Sequence, residues 1–228
     1  MAITLGGSWA DFGNILASVG ALGTAAFGLV DATKVYRGGV SNIGFGFIKR
    51  AVAPYETALR LVDANDPYAT ILGNWLNGVA KADQKATVKS LIRLGLTGDT
   101  VSSLAAGAPG IEAAALQAAA LKVDAGQILA DEDITVLGRF DAVLDAQMDA
   151  AFERADQQYR NAAKVLAAIF AIVLALLGVW IINGKAVEFS DFMLALFVGV
   201  IATPLAPVVK DLSSAIGTAV SALKSVKG

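Results

Sequence analysis

The stretch VLAAIFAIVLALLGVWIING, residues 165–184, decides the fold of this chain. It contains no charged residue, and Lys164 and Lys185 flank it on either side. An α-helix needs about 20 apolar residues to cross the roughly 30 Å of hydrocarbon in a lipid bilayer. The stretch therefore predicts a transmembrane helix, and the rest of the chain is best interpreted around that helix.

Two further uncharged runs predict membrane spans. FMLALFVGVIATPLAPVV, residues 192–209, follows after a short turn, so that it forms a helical hairpin with the first stretch. ILASVGALGTAAFGLV, residues 15–30, reaches spanning length when its start is placed at residue 12. No basic residue precedes it, unlike in a secretory signal peptide. We therefore predict a retained span over residues 12–30; the alternative is a buried or interfacial helix.

The distribution of basic residues orients these spans. Lysine and arginine are frequent in residues 31–164 and recur in the C-terminal tail, whereas residues 1–14 contain none and the turn at 185–191 contains one. Loops on the cytoplasmic side carry the excess of these residues. The pattern predicts an N-terminus outside the cell and a cytoplasmic C-terminus.

The intervening residues 31–164 are typical of short helices separated by tight breaks, without an alternating strand pattern. Asp131 is the predicted start of one long helix. From Glu132 the apolar spacing runs without a break into the second span, and the part from about 139 to 183 alone is about 65 Å long. The predicted fold is an all-α membrane protein with three transmembrane helices, a cytoplasmic helical domain and a stalk helix continuous with the second span. Its segments are an external N-terminus (1–11), span 1 (12–30), the helical domain (31–138), the acidic stalk (139–164), span 2 (165–184), an external turn (185–191), span 3 (192–209) and a cytoplasmic amphipathic tail (210–228).

Composition excludes several functions. The chain has no cysteine and no histidine, which removes thiolate and imidazole chemistry and the usual metal sites. No ionisable residue lies within the spans, and no phosphate-binding loop is present. We predict no enzyme, no catalytic residue, no cofactor and no metal. The net charge of −2 without a basic cluster predicts no nucleic-acid partner.

The stalk carries a row of carboxylates on one helix face. Like charges spaced by four residues repel each other slightly, so the row calls for an explanation. One hypothesis is a cation vestibule around the axis of an oligomer. The alternative is a solvated face, or pairing with basic residues of neighbouring helices. The row consists of Asp141, Asp145, Asp149, Glu153 and Asp156.

Small residues recur at helical spacing within the spans. Such residues allow close approach of helices in a membrane, within one chain or between copies. The predicted packing residues are Gly20, Thr24 and Gly28 in span 1, Ala168, Ala171, Ala175 and Gly178 in span 2, and Ala195, Gly199 and Thr203 in span 3.

Pro204 and Pro207 lie near the end of span 3. Each removes a backbone donor, so they predict either a kink or the place where the helix leaves the membrane. The residues after them have apolar side chains at helical intervals, which predicts a short amphipathic helix on the inner surface or on a partner helix.

The arrangement resembles a group of three-span inner-membrane proteins of bacteria. The resemblance covers mainly residues 140–223, through the acidic stretch FDAVLDAQMDAAFERADQQYRNA and the proline-containing exit TPLAPVVKDLSSAI. It implies a location in the bacterial inner membrane and transfers no activity.

These observations favour a non-enzymatic homo-oligomer in the lipid bilayer, whose helical domain acts as a scaffold or binds a protein partner on the cytoplasmic side. The alternatives are a homo-oligomeric cation channel, with the acidic stalk as its vestibule, and a pore-forming or holin-like protein.

Overall fold

The computed structural model describes residues 9–36, 38–184 and 186–226. Side chains are described for residues 13–36, 38–184 and 186–209 and for Asp211. The chain is 80% helical, and the described residues form no strand. Three helices are long and apolar enough to cross a membrane. The predictions of an all-α fold and of three such helices are confirmed. Most of the predicted external segment 1–11 and the side chains of the predicted tail lie outside the described residues.

The described part of the chain forms nine α-helices with short 3-10 turns between some of them. They group into two compact units, which we call the span unit (the described residues of 1–40 and 160–228) and the helical unit (Ser41–Tyr159). The helices are α1 (Trp9–Ala32), α2 (Phe45–Val52), α3 (Glu56–Leu59), α4 (Ala69–Leu76), α5 (Lys81–Arg93), α6 (Val101–Gly107), α7 (Ala113–Asp124), α8 (Asp131–Asn183) and α9 (Phe189–Val226).

Helix α8 is continuous from Asp131 to Asn183, as the unbroken apolar spacing predicted. It begins at Asp131, the start that the sequence predicted for the long helix, and its first turn has its own cap. The carboxylate of Asp133 accepts hydrogen bonds from the backbone N–H of Ala130 at 2.8 Å and from Lys122 Nζ at 2.6 Å. The hydrogen bond from Lys122, and then the one from Ala130, hold the pKa of Asp133 below its usual value. Acidic side chains at a helix start also complement the helix dipole.

Helix α9 differs from the predicted third span at both ends. It begins at Phe189, where Asp191 accepts hydrogen bonds from Asn183 Nδ2 at 2.8 Å and from the backbone N–H of Glu188 at 3.2 Å. The helix does not end at Pro204 or Pro207 but continues to Val226. The tail is helical to Val226, as predicted, but it continues α9 and does not form a separate helix. Both prolines are exposed, and a proline removes only one hydrogen bond from a long helix that is otherwise intact.

The helical unit is built around large buried side chains of α8. Phe140, Leu144, Met148 and Phe152 follow one another at intervals of four residues and are all at most 1% exposed. They belong to one apolar cluster with side chains of α2, α4, α5, α6 and α7. Burying such a side chain contributes about 1.5–3 kcal/mol to folding. This row therefore accounts for the position of α8 among the shorter helices.

Candidate functional site

Helices α5 and α8 of the helical unit are joined by four consecutive ion pairs, which we call the ion-pair ladder. Each of the first four carboxylates of the predicted acidic row meets a cation of α5. Lys89 Nζ lies 2.8 Å from Asp145 Oδ2, and Arg93 Nε donates to Asp141 Oδ1 at 3.0 Å. The pairs are Arg93–Asp141, Lys89–Asp145, Lys85–Asp149 and Lys81–Glu153.

The ladder follows from matching periodicities on the two helices. Helix α5 carries a basic residue at every fourth position from Lys81 to Arg93, and its buried residues Val88 and Ile92 each precede a basic residue. In α8 each acid directly follows a member of the buried row that starts at Phe140. The charges thus line the border of the apolar contact on both helices. Because residue numbers fall along α5 as they rise along α8, the helices run antiparallel.

The ladder contributes more to the register between α5 and α8 than to the stability of the fold. The four carboxylate side chains range from 33% to 64% exposed, and exposed pairs contribute about 0–1 kcal/mol each. The α5 cations also offset the repulsion between like charges along α8. The hydrogen bond from Arg93 to Asp141 raises the pKa of that guanidinium further. A slip of α5 by one helical turn would leave an unpaired charge at each end.

The sequence left two interpretations of the acidic row open, a cation vestibule or a face that is solvated or paired with basic residues of neighbouring helices. The structure shows such pairing for the first four acids of the row. Asp156 lies three residues beyond Glu153 and is half-buried. The cation vestibule stays a prediction. The basic row of α5 was not among the predicted site residues, although its spacing of four residues matches that of the acidic row and was the signal available.

A buried polar cluster holds α6 against α8. The Tyr55 hydroxyl lies 2.7 Å from the carbonyl oxygen of Gly107 and 2.6 Å from Gln147 Oε1, and Gln147 Nε2 donates to the same carbonyl at 2.9 Å. Burial raises the pKa of Tyr55 to about 12, although its hydrogen bond to Gln147 acts in the opposite direction. A Cβ on Gly107 would lie 2.8 Å from the Pro54 side chain, so only glycine permits this contact.

An apolar groove of about 640 Å³ opens beside the Arg93 end of the ladder. Three of its apolar residues remain largely exposed: Leu94 at 56%, Val123 at 49% and Ile134 at 56%. Its polar wall is mostly occupied, because Arg93 is paired with Asp141 and Asp124 accepts a hydrogen bond from the backbone N–H of Gly98. The lining residues are Arg93, Leu94, Leu96, Thr97, Ala120, Val123, Asp124, Leu129, Ile134, Leu137, Gly138 and Asp141.

A second groove, of about 570 Å³, lies between α2 and α8 and carries two arginines. We call it the basic groove. It has no acidic residue in its wall, whereas the ladder on α8 is neutralised pair by pair. Its lining consists of Phe47, Arg50, Ala51, Pro54, Gln147, Ala150, Ala151 and Arg154.

In the span unit, several predicted packing residues lie at helix contacts. A Cβ on Gly20 of α1 would lie 2.5 Å from Val209 of α9, and one on Gly199 of α9 would lie 2.5 Å from Ile172 of α8. The backbones are thus as close as small residues allow. Other predicted residues that are buried are Ala171, Ala195 and Thr203, and the Thr203 hydroxyl has no hydrogen-bond partner among the described atoms.

The remaining predicted packing residues lie elsewhere on the helix surfaces. Thr24 and Gly28 are exposed, and the space beside Gly28 and Gly178 is open. Ala168 and Ala175 are half-buried. Gly23 was not among the predicted packing residues, yet it faces Ala202 and Ala206 of α9 and is the tightest glycine contact of α1. Its spacing of three residues from Gly20 was the available signal. The membrane exit at Pro204 and Pro207 stays a prediction.

In the described part of the chain no group of three acidic side chains is placed to hold a metal ion. Comparison with known proteins found no matching family model, no related curated protein and no similar solved structure.

Proposed function

We propose that this chain is a non-enzymatic integral protein of a bacterial inner membrane that self-associates through its spans and presents its helical unit to a protein partner in the cytoplasm. The apolar groove carries the proposal. The membrane location is supported by the three apolar helices, and the orientation by the basic residues that flank them.

The apolar groove has the chemistry of a site for an apolar segment of another protein. Leu94, Val123 and Ile134 expose about half of their surface around one concavity. Contiguous exposed apolar surface on a water-facing unit marks interaction sites. An amphipathic helix that lays its apolar side chains into such a groove is a common mode of recognition. Because the Arg93–Asp141 pair at the rim is neutral as a whole, the occupant needs no strong charge.

Self-association is supported by the open faces of the spans. Gly28 of α1 and Gly178 of α8 have free space where a neighbouring helix would approach. Helices in lipid associate through close packing of small residues rather than through a hydrophobic force. These positions thus offer surfaces to a second copy that the contacts within the span unit leave unused.

The ladder weighs against the cation channel. A vestibule attracts cations through carboxylates that lack fixed counter-charges. Here Lys81, Lys85, Lys89 and Arg93 compensate four of the five acids within the same chain.

Photocrosslinking in cells tests the partner proposal. A photoreactive amino acid at Val123 should give one adduct of discrete mass, and Leu94→Glu should remove it. The matched control is the same label at Leu61, which is 56% exposed in the helical unit but outside the groove. If the label at Val123 gave no adduct, or if the labels at Val123 and Leu61 gave the same adducts, the groove would not be a docking site.

Self-association is tested separately by the mass of the protein in mild detergent. We expect an oligomer that Gly28→Leu or Gly178→Leu weakens. A monomer at all concentrations would contradict this part of the proposal.

A further inference from the structure

The basic groove is formed by equivalent faces of two helical segments. Residues 47, 50, 51 and 54 on one side, and 147, 150, 151 and 154 on the other, both follow the spacing of one helix face. Arg50 lies beside one alanine of the lining, and Arg154 lies on the same helix face as two. The small alanine side chains leave the volume of the groove open, while the two arginines supply its positive charge.

The two walls run antiparallel. A Cβ on Gly44, just before α2, would lie 2.4 Å from the carbonyl oxygen of Ala155, whereas Tyr55, after α2, contacts Gln147. Arg50 and Arg154 therefore project from opposite walls into the same groove. The guanidinium of Arg50 lies over the ring of Phe47, 4.6 Å from its centroid. This stacking restricts the side chain before any ligand arrives.

Neither arginine is neutralised within the described part of the chain. No ion pair joins Arg50 or Arg154 to a carboxylate there. Two acids close to Arg154 in sequence, Asp149 and Glu153, are held by Lys85 and Lys81 of α5 on another face of α8. The ladder thus occupies these two carboxylates, and α2 contains none.

We propose that the basic groove binds a phosphate oxyanion between Arg50 and Arg154. A guanidinium donates two parallel hydrogen bonds to phosphate, and such charge-assisted bonds are stronger than neutral ones. Two guanidiniums from opposite walls match the charge of a phosphate group, and the apolar side chains of Phe47 and Pro54 accept the organic part of a phosphate ester. The source is either a soluble phosphate compound or the headgroup of an anionic phospholipid. This site is separate from the apolar groove and does not depend on a protein partner; the lipid source and the nanodisc measurement rest on the proposed membrane location.

Binding is measured on the full-length protein with two probes. The first is inorganic phosphate, titrated against protein in nanodiscs of phosphatidylcholine, whose own phosphate is balanced by choline. The second is phosphatidylglycerol, whose retention relative to phosphatidylcholine is measured by native mass spectrometry. Saturable phosphate binding identifies a soluble ligand, whereas preferential retention of phosphatidylglycerol alone identifies a lipid headgroup.

Variants locate the binding in the groove. Arg50→Gln and Arg154→Gln should each lower affinity for the bound probe about 10- to 100-fold, as expected for loss of hydrogen bonds to a charged group. Arg154→Lys should retain part of the affinity, because lysine keeps the charge without the paired donors. Arg139→Gln is the matched control: Arg139 is exposed and lacks a carboxylate partner in the described residues, but lies outside the groove.

A gain-of-charge variant provides a second test that leaves both arginines in place. Ala150→Glu puts a carboxylate into the groove and should abolish binding of either probe, whereas Ala142→Glu, at an exposed position of α8 outside the groove, should not. Absence of binding by both probes would overturn the proposal. An equal loss in Arg139→Gln would also overturn it, because it would mean that general charge and not the groove attracts the anion.

Discussion

The two halves of helix α8 obey opposite packing rules. In the helical unit, α8 buries large side chains such as Phe140 and Phe152 and keeps charges at the border of the contact. In the span unit, it buries the small Ala167 and Ala171, while Val165 and Ile169 are at least 50% exposed. Water drives large apolar side chains inward, whereas in lipid close approach of backbones replaces that force. One continuous helix therefore has two kinds of interface, and the one in the span unit is of the kind that helices form in lipid.

The largest expected effect comes from the large-side-chain interface. Phe140→Ala should destabilise the helical unit by about 3–5 kcal/mol, because it leaves a cavity in a core that the neighbours cannot fill. Hydrogen exchange measured by mass spectrometry should show faster exchange throughout Ser41–Tyr159. Ile128→Ala is the control, since Ile128 is 96% exposed. If Phe140→Ala changed exchange no more than the control, the row at intervals of four would not be the core of this unit.

The small-residue interface should respond to the opposite change. Gly23→Leu should disrupt the α1–α9 contact, since even a Cβ there would lie 2.1 Å from the carbonyl oxygen of Ala202. Overpacking of this kind costs about 1–3 kcal/mol, or more when backbone must move. The readout is exchange or protease sensitivity of α1 in detergent. Gly13→Leu, with open space around it, should have no effect on this contact; equal effects of the two variants would contradict the assigned packing.

The Tyr55 cluster predicts a smaller, pH-dependent effect. Tyr55→Phe should cost about 1–3 kcal/mol, because it leaves Gln147 without its hydroxyl partner in a buried site. The raised pKa of Tyr55 in the folded protein, about 12 against 10.0, means that this contribution is fully present below pH 10 and is lost as the pH rises toward 12.

Unfolding in detergent, followed by fluorescence of Trp75, can test this dependence. The stability of the native protein should fall more between pH 10 and 12 than that of Tyr55→Phe. Tyr36→Phe, at a position that is 81% exposed, should behave like the native protein. Identical alkaline profiles of Tyr55→Phe and native protein would mean that the hydroxyl titrates as it does in the unfolded chain.

The smallest effect is expected for the ladder, which is at the water-exposed border. Lys89→Glu should lower the free energy of unfolding by less than about 1 kcal/mol through loss of the ion pair. The new repulsion between Glu and Asp145 should lower it somewhat further. The double variant Lys89→Glu with Asp145→Lys should recover most of the loss, and added salt should reduce both effects. A double variant no more stable than Lys89→Glu would mean that the two side chains do not interact.

Much of the fold was predictable from the sequence, because its signals are local. An uncharged run of spanning length and the unbroken spacing before it predicted α8. The end of the last helix was less predictable, because α9 continues past Pro204 and Pro207. The site was predicted only in part. The acidic row was found, but not the basic row that faces it, because nothing local says which two helices will meet.

By itself the sequence determined the helical class, the three apolar helices and the two rows on α8, since each depends on the period of one helix and on the transfer of its own side chains from water. Only the tertiary structure decided which charges are neutralised. By packing α5 antiparallel on α8, it brought Lys85 to Asp149 and Lys81 to Glu153, and it left Arg50 and Arg154 facing a common groove. The physical reason is that whether a charge is neutralised depends on the groups near it in space. Such groups can be far apart along the chain: Arg50 and Arg154 are separated by 104 residues.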